Sequence, residues 1–189
     1  MASDTRGRMI EATIEALERR GVAGMSFTEV LRASGAARGA IYHHFPDGKA
    51  QLVAEAAARK GEQVDDLLAA LPADDPATVV SAFLDLVRPV VELSACGGGC
   101  AVAALTVGTE PGDDTALREV AATAFTSWID RLADRLAVAG LSSAAATDLA
   151  TTLVTLLEGA HVLCRATGTL DPFDAVARTA AGLSARPTG

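Results

Sequence analysis

A regular apolar pattern over residues 117–136 restricts how this chain can fold. An apolar side chain recurs at every third or fourth position through about five helical turns, at Leu117, Val120, Ala121, Ala124, Phe125, Trp128, Leu132 and Leu136. The 189 residues include 40 alanines, which favour helix because they lose no side-chain entropy there. Val, Ile and Thr do not form the alternating runs that are typical of strands. The sequence therefore predicts an all-α protein.

Start and stop signals divide the whole chain into about nine predicted helices. The first contains the apolar series from Met9 to Leu17 and stops at Gly21. Pro89 is predicted to kink or shorten the helix that contains it, because proline lacks a backbone N–H. A short apolar helix is predicted over residues 100–107, after a run of three glycines. These helices supply enough apolar surface for a core without disulfide or metal.

Two short predicted helices near the N-terminus are joined by a tight turn. The first begins where Ser26 and Glu29 fit a capping box. Gly35 can adopt the positive φ of a tight turn, and the second helix is predicted over residues 38–44. A helix of about seven residues spans roughly 10 Å, which fits the major groove of DNA. Ile41 and Phe45 are expected to face the core, so the pair of helices is a candidate helix-turn-helix.

The charge distribution separates the first sixty residues from the rest. The formal net charge is −8, which taken alone argues against a polyanionic partner. Residues 1–60, however, carry nine basic and seven acidic side chains, whereas residues 61–189 carry seven basic and seventeen acidic ones. An anionic partner is therefore expected to contact the first sixty residues.

Residues 28–45 read TEVLRASGAARGAIYHHF, and this stretch resembles the DNA-binding segment of TetR-family transcriptional repressors. The specific part is a Gly-x-x-Tyr-x-His-Phe ending that is followed by a lysine where a long helix begins. Lys49 lies one residue later than the commonest family spacing. Together with the Gly99-Cys100 segment, that spacing resembles the multidrug and lincomycin-resistance repressors. The motif covers residues 8–55, and the helical layout covers the full length.

The resemblance implies which residues contact a double-stranded DNA operator. Tyr42, His44 and Lys49 match the family's phosphate contacts, and Thr28 plays the same part at the start of its helix. The small residues of the recognition segment allow a close approach to base edges and thymine methyl groups. The predicted DNA-binding set is Thr28, Ala37, Arg38, Gly39, Ala40, Tyr42, His43, His44 and Lys49.

Some positions depart from the family pattern. The family more often has Ala, Val and Ser or Thr where this chain has Ser34, Ala36 and Ala37, so the usual hydroxyl at the start of the recognition helix is missing. Base contacts are therefore expected mainly from Arg38, Tyr42 and His43. Arg38 can bind guanine or a phosphate.

The resemblance also implies two domains, a helix-turn-helix domain over residues 1–47 and a ligand-binding and dimerisation domain over residues 48–189. The last two helices, predicted over residues 143–166 and 172–183, are expected to form a four-helix interface in a homodimer, which implies a palindromic operator.

A small apolar or aromatic effector is expected to release the DNA. Its candidate site is mostly apolar and comprises Phe83, Val87, Leu105, Phe125, Trp128, Leu157 and His161. Residue by residue, ordinary core is the slightly favoured interpretation.

Three cysteines leave an alternative open. Cys96, Cys100 and Cys164, with His161, could hold a zinc ion or react with an oxidant, which would make the protein a thiol- or metal-sensing regulator. The glycines at residues 97–99 disrupt regular helical spacing, and cysteine is often simply a small buried residue. A helical module that binds another protein is a further alternative.

No enzyme motif, cofactor site or metal site is predicted. The sequence has no phosphate-binding glycine loop, no Gly-x-Ser-x-Gly and no His-Glu-x-x-His. It has no secretory signal, and its longest uncharged run, residues 93–109, is too short and glycine-rich to span a membrane. These features, with an odd number of cysteines, predict a cytoplasmic protein with reduced thiols.

Overall fold

The structure, a computed structural model, describes residues 5–107 and 115–184, with side chains as far as residue 182. These residues form eight α-helices and one short 3₁₀ helix, so the predicted all-α fold is confirmed. The helices are α1 (Thr5–Gly24), α2 (Phe27–Ser34), α3 (Ala40–His44), α4 (Gly48–Ala69), α5 (Pro76–Ala95), α6 (Thr115–Val138), α7 (Ser143–Thr167) and α8 (Asp171–Ser184), and the 3₁₀ helix is Ala103–Leu105.

The predicted start and stop of α2 are confirmed. The side chain of Ser26 accepts a hydrogen bond from the backbone N–H of Glu29 at 3.3 Å, which satisfies one of the free donors at the helix start. Gly35 ends the helix with φ of 66°, a conformation in which a side chain would be strained, and its N–H bonds to the carbonyl of Leu31. Gly21 similarly interrupts α1, with φ of 66° and ψ of −177°.

The second helix of the pair is shorter than predicted. It covers Ala40–His44 rather than residues 38–44. Arg38 and Gly39 form a turn before it, in which the N–H of Ala40 bonds to the carbonyl of Ala37 at 2.9 Å. Gly39 already has near-helical angles, φ −76° and ψ −12°, so the turn leads directly into α3.

One prediction about the middle of the chain is wrong, and another is wrong in part. The helix predicted over residues 100–107 is wrong, because only the 3₁₀ turn forms there, and its bonds run between residues three apart, as from Thr106 N–H to the Ala103 carbonyl. Leu105 is buried all the same. Pro89 was predicted to kink or shorten α5; the shortening is wrong, because α5 continues to Ala95, and the kink stays a prediction.

The chain divides into two compact units. The first contains the described residues up to Glu62 and those from Cys100 to Ala124, and the second contains the remaining described residues. Helices α4 and α6 each contribute residues to both units. The predicted domains, residues 1–47 and 48–189, remain a prediction.

The first unit buries one face of each helix around a shared core. α1 packs against α2 and against the 3₁₀ helix. Ile41 and Phe45 are buried as predicted, together with Met9, Leu17, Val30 and Leu52. Burial of a large apolar side chain contributes about 1.5–3 kcal/mol relative to its exposed state, so these residues hold the short α3 in place although five residues alone would not form a stable helix.

The second unit contains the packed helices α5, α7 and α8, each of which contacts the other two. Arg88 of α5 bonds to the carboxylate of Asp174 at 2.6 Å, and its guanidinium lies 5.1 Å from the centre of the Phe173 ring in α8. α7 is long and apolar enough, by length and composition, to be a candidate membrane span, as core helices of other proteins also are. One third of that apolar stretch is buried within the described structure, where α7 contacts α5 and α8.

Candidate nucleic-acid interface

Helix α3 places apolar side chains in the core and polar side chains on the surface. Ile41 and Phe45 lie four residues apart on the buried face. Tyr42 and His43 are exposed on the opposite side, and the turn residues Arg38 and Gly39 are exposed as well. Ala37 is exposed, Ala40 is half-buried, and neither presents bulk that would keep DNA away from the backbone. This surface has the residue types that a recognition helix needs.

The Tyr42 ring lies against α2. Its centre is 6.3 Å from that of the Phe27 ring, edge to face, while 67% of the Tyr42 residue is exposed. Thr28, the next residue after Phe27, is exposed in the first turn of α2. The start of α2 and the outer face of α3 are therefore neighbours, as the phosphate contacts implied by the resemblance require.

Lys49 lies in the first turn of α4 and reaches the chain just before α2. Its Nζ donates a hydrogen bond to the backbone carbonyl oxygen of Met25 at 2.9 Å. An ammonium group has three donors, so two remain for another acceptor such as a phosphate. The N–H groups of the first turn of α4 also have no acceptor within the helix. Lys49 thus combines a fixed position with unused donors.

The two adjacent histidines differ in exposure. His43 is exposed, whereas His44 is half-buried, and their ring centres lie 4.9 Å apart. The His44 ring also lies 6.4 Å from that of Phe45, which is completely buried. The predicted DNA contacts of both histidines stay predictions.

Several cations of the first unit are neutralised by carboxylates. Arg20 pairs with Glu29 at 3.0 Å and Lys60 with Glu18 at 3.1 Å, and Arg6 pairs with Glu55. The excess of basic residues in the first sixty is therefore less available to DNA than the count suggests. Among the predicted DNA-binding residues, Arg38 and Lys49 are the two basic side chains other than histidine.

A hydrogen-bond network connects the α3–α4 turn to α4. It was not predicted from the sequence. The Gln51 side-chain amide accepts from the backbone N–H of Asp47 at 3.0 Å and donates to Glu55 Oε1 at 3.0 Å. Glu55 also accepts from Arg6. The four-residue spacing of Gln51 and Glu55 on a predicted helix was the available signal, because such residues share one face.

The residues predicted to bind an effector occupy both units. Leu105 belongs to the first unit and the other six to the second. Phe83, Val87, Trp128 and His161 are buried, and the rings of Phe125 and Trp128 meet edge to face at 5.2 Å. α5, which carries Phe83 and Val87, packs against α7, which carries Leu157 and His161. Their role in binding stays a prediction.

His161 has a buried polar partner. Its Nδ1 lies 2.6 Å from Oγ of Ser94, which joins α7 to α5. Both residues are buried, so this hydrogen bond avoids the cost of an unpaired polar atom. The need of His161 for a partner is met within the second unit.

The cysteines are free thiols in different environments. Cys96 is exposed, Cys100 is half-buried and Cys164 is buried. Among residues 5–107 and 115–184, no group of three or more His, Cys, Asp or Glu side chains could hold a metal ion. Metal binding and thiol oxidation both stay predictions.

The capped α2, the glycine turn and the exposed face of α3 define a helix-turn-helix DNA-binding protein. Residues 9–56 match the family model described as "Bacterial regulatory proteins, tetR family", and residues 76–179 match "Transcriptional regulator LmrA/YxaF-like, C-terminal domain". The chain belongs to the TetR family of transcriptional regulators and has an LmrA/YxaF-like C-terminal domain. This confirms both the family and the subgroup that the sequence indicated.

Individual relatives agree with the family assignment. An uncharacterised HTH-type transcriptional regulator of Mycobacterium tuberculosis is 32% identical over 179 residues, which cover 92% of this chain and 90% of the relative. The regulator LmrA of Bacillus subtilis is 29% identical over 168 residues, 85% of this chain and 86% of LmrA. The likeness in fold extends to the crystal structure of a TetR transcriptional regulator from Legionella pneumophila, with a TM-score of 0.82 at 19% identity and with 95% of this chain and 97% of that one covered.

Proposed function

We propose that the protein is a ligand-responsive repressor that binds a palindromic operator as a homodimer. The observation that carries this proposal is the exposed polar face of α3 beside a lysine held at the start of α4. Arg38, Tyr42 and His43 supply the contacts to bases and nearby phosphates, while Thr28, His44 and Lys49 contact phosphates. Ala37, Gly39 and Ala40 keep the backbone close to the groove.

An uncharged face of α7 supports the homodimer. From position 152 onward, the exposed residues along this face are all uncharged and are Thr152, Thr155, Gly159, Val162, Leu163 and Ala166. Val162 and Leu163 are 68% and 54% exposed, which is unusual for large apolar side chains in two adjacent positions. A second copy of α7, with α8, would cover them in a twofold arrangement. Twofold symmetry makes the operator palindromic.

Release of DNA follows from a shift between two conformations of the dimer. An apolar or aromatic effector that binds the DNA-free conformation more tightly lowers operator affinity, because only differential affinity can move the equilibrium. The mostly buried apolar residues of the second unit, with His161 as a polar group, form the proposed binding region. As expected for a bacterial TetR-family regulator, the protein would act in the cytoplasm.

A gel-shift titration of the protein against the DNA upstream of its own coding sequence tests the proposal. A sequence-specific complex at moderate salt, with two protomers on each operator, is expected. The absence of any sequence-specific complex would overturn it. A helical module that binds a partner protein would also give no DNA complex.

A further inference from the structure

The α3–α4 turn is held from both of its ends by α1 and α4. At one end, the Arg6 guanidinium of α1 lies 5.2 Å from the centre of the Phe45 ring. At the other end, the backbone N–H of Asp47 bonds to Oε1 of Gln51 at 3.0 Å. The two ends are connected, because Arg6 also binds Glu55, whose other carboxylate oxygen accepts from Gln51.

These contacts form a continuous chain, which we call the turn relay and define as Arg6, Glu55, Gln51 and the Asp47 N–H. Glu55 is the central member, since one of its oxygens binds Arg6 and the other binds Gln51. The side chain of Glu55 is 27% exposed, so the relay is partly shielded from water. The carboxylate fixes the orientation of the Gln51 amide, because Nε2 must face the carboxylate and Oε1 must then face Asp47.

The relay acts on the part of the chain that carries the proposed phosphate contacts. The N–H of Gly48 is bonded to the carbonyl of Phe45 at 2.9 Å, so the turn from Phe45 to Gly48 is fixed by internal bonds and by the relay. Lys49 follows directly, and α3 ends directly before. A shift of the turn would move Lys49 and the end of the recognition helix together.

We infer that Gln51 and Glu55 are positioning residues for DNA binding, which act through the α3–α4 turn without touching DNA. This inference rests on the proposed DNA contacts of α3 and Lys49. It leads to an unusual expectation for Glu55. Loss of an acidic residue near a DNA-binding surface should strengthen binding if only net charge matters. The turn relay instead predicts that loss of the Glu55 carboxylate weakens DNA binding.

The test compares Glu55→Ala with Glu62→Ala. Both residues lie on α4, both changes remove one negative charge, and both remove one ion pair, since Glu62 pairs with Arg59 at 3.8 Å. The probe is a labelled duplex enriched by the parent protein from a random-sequence library, and affinity is measured by fluorescence anisotropy. Glu55→Ala should bind about three- to tenfold more weakly than the parent, as expected for a lost hydrogen-bonded contact, whereas Glu62→Ala should bind equally or more tightly.

Gln51→Ala provides an independent second variant, because it changes no charge and alanine favours helix. It should also weaken binding about three- to tenfold. The double variant Gln51→Ala/Glu55→Ala should be no weaker than the more affected single variant, since both changes break the same chain. Equal affinity of Gln51→Ala and the parent, or full additivity in the double variant, would overturn the inference.

Amide hydrogen exchange in the free protein separates positioning from general loss of stability. Gln51→Ala and Glu55→Ala should speed exchange at Asp47 and leave exchange in α1 and α2 unchanged. Faster exchange throughout the first unit would mean that the relay is merely structural, which contradicts the inference.

If Lys49→Ala weakens binding while Glu55→Ala does not, the relay is wrong and the DNA contacts stand. If the parent enriches no duplex, both are wrong.

Discussion

Lys49 donates a hydrogen bond from Nζ to the backbone carbonyl oxygen of Met25, at 2.9 Å. This bond joins the first turn of α4 to the residue that precedes the cap of α2, Ser26. The two helices whose starts are proposed to bind phosphates are thus fixed to each other. The lysine is oriented by the protein before DNA arrives, which reduces the entropy lost when it binds a phosphate.

The first prediction concerns Lys49. Lys49→Ala should weaken binding to all DNA sequences by a similar factor, and should reduce the slope of log K against log salt by about one, because one phosphate contact is lost. Anisotropy titrations at several salt concentrations measure both effects. Lys60→Ala is the matched control, since Lys60 lies about 16 Å further along α4 and pairs with Glu18. Equal losses in the two variants would contradict a specific role for Lys49.

The second prediction concerns the hydroxyl group of Tyr42. Tyr42→Phe keeps the ring contact with Phe27 but removes the hydroxyl that is proposed to bind a phosphate. It should weaken operator and non-specific DNA binding alike, by about three- to tenfold. Tyr42→Ala should weaken binding further, because the ring contact is lost as well. An unchanged affinity of Tyr42→Phe would show that the ring, and not the hydroxyl, carries the contribution.

The third prediction concerns Leu163 on α7. Leu163→Glu should convert the homodimer to monomers, since it places a charge within the proposed apolar interface. Sedimentation velocity measures the state of association. Leu67→Glu is the control, because Leu67 is 52% exposed, close to the 54% of Leu163, but lies on α4. Dimers of normal stability in Leu163→Glu would mean that this face of α7 lies outside the interface.

The fourth prediction concerns Asp65 and acid stability. Burial alone would raise the pKa of the Asp65 carboxyl, but hydrogen bonds from Ser127 and Arg131 and the charge of Arg131 together hold the pKa below its usual 3.8. Because the folded-state pKa is lowered, the ionised group stabilises the fold above pH 3.8, and this contribution is lost as the pH falls through the folded-state value.

Asp65→Asn should therefore lower Tm by about a few degrees at pH 7, and the difference from the parent should shrink as the pH falls below 3.8. Thermal unfolding followed by circular dichroism measures the difference in Tm between the variant and the parent from pH 7 to below pH 3.8. The exposed neighbour Asp66 offers a control, since Asp66→Asn changes the charge equally. A deficit in Asp65→Asn that is the same at every pH would contradict the ionic origin of the effect.

The sequence predicted the parts of this fold that depend on neighbouring residues. The cap at Ser26 and the turn at Gly35 follow from contacts within four residues, so they could be read from residue type and spacing. Ile41 and Phe45 were also correctly expected to face the core. The predicted start of α3 was two residues early, because Arg38 and Gly39 form a turn that leads into the helix.

The contacts that orient the site could not be predicted in the same way. Lys49 and Met25 are 24 residues apart, and Ser94 and His161 are 67 apart. Such pairs depend on how helices pack, which periodicity does not specify. The helix predicted over residues 100–107 was wrong for a related reason, because Leu105 is buried by packing around a single 3₁₀ turn rather than by a regular helical face.

A competition titration tests the central claim most directly. The protein is bound to a labelled fragment of its own upstream DNA at moderate salt, and is then displaced by unlabelled fragments of the same sequence or of a scrambled sequence of equal length. The proposed function predicts that the scrambled fragment is needed at a concentration at least about 1,000-fold higher. Equal competition by both fragments would contradict an operator-specific repressor.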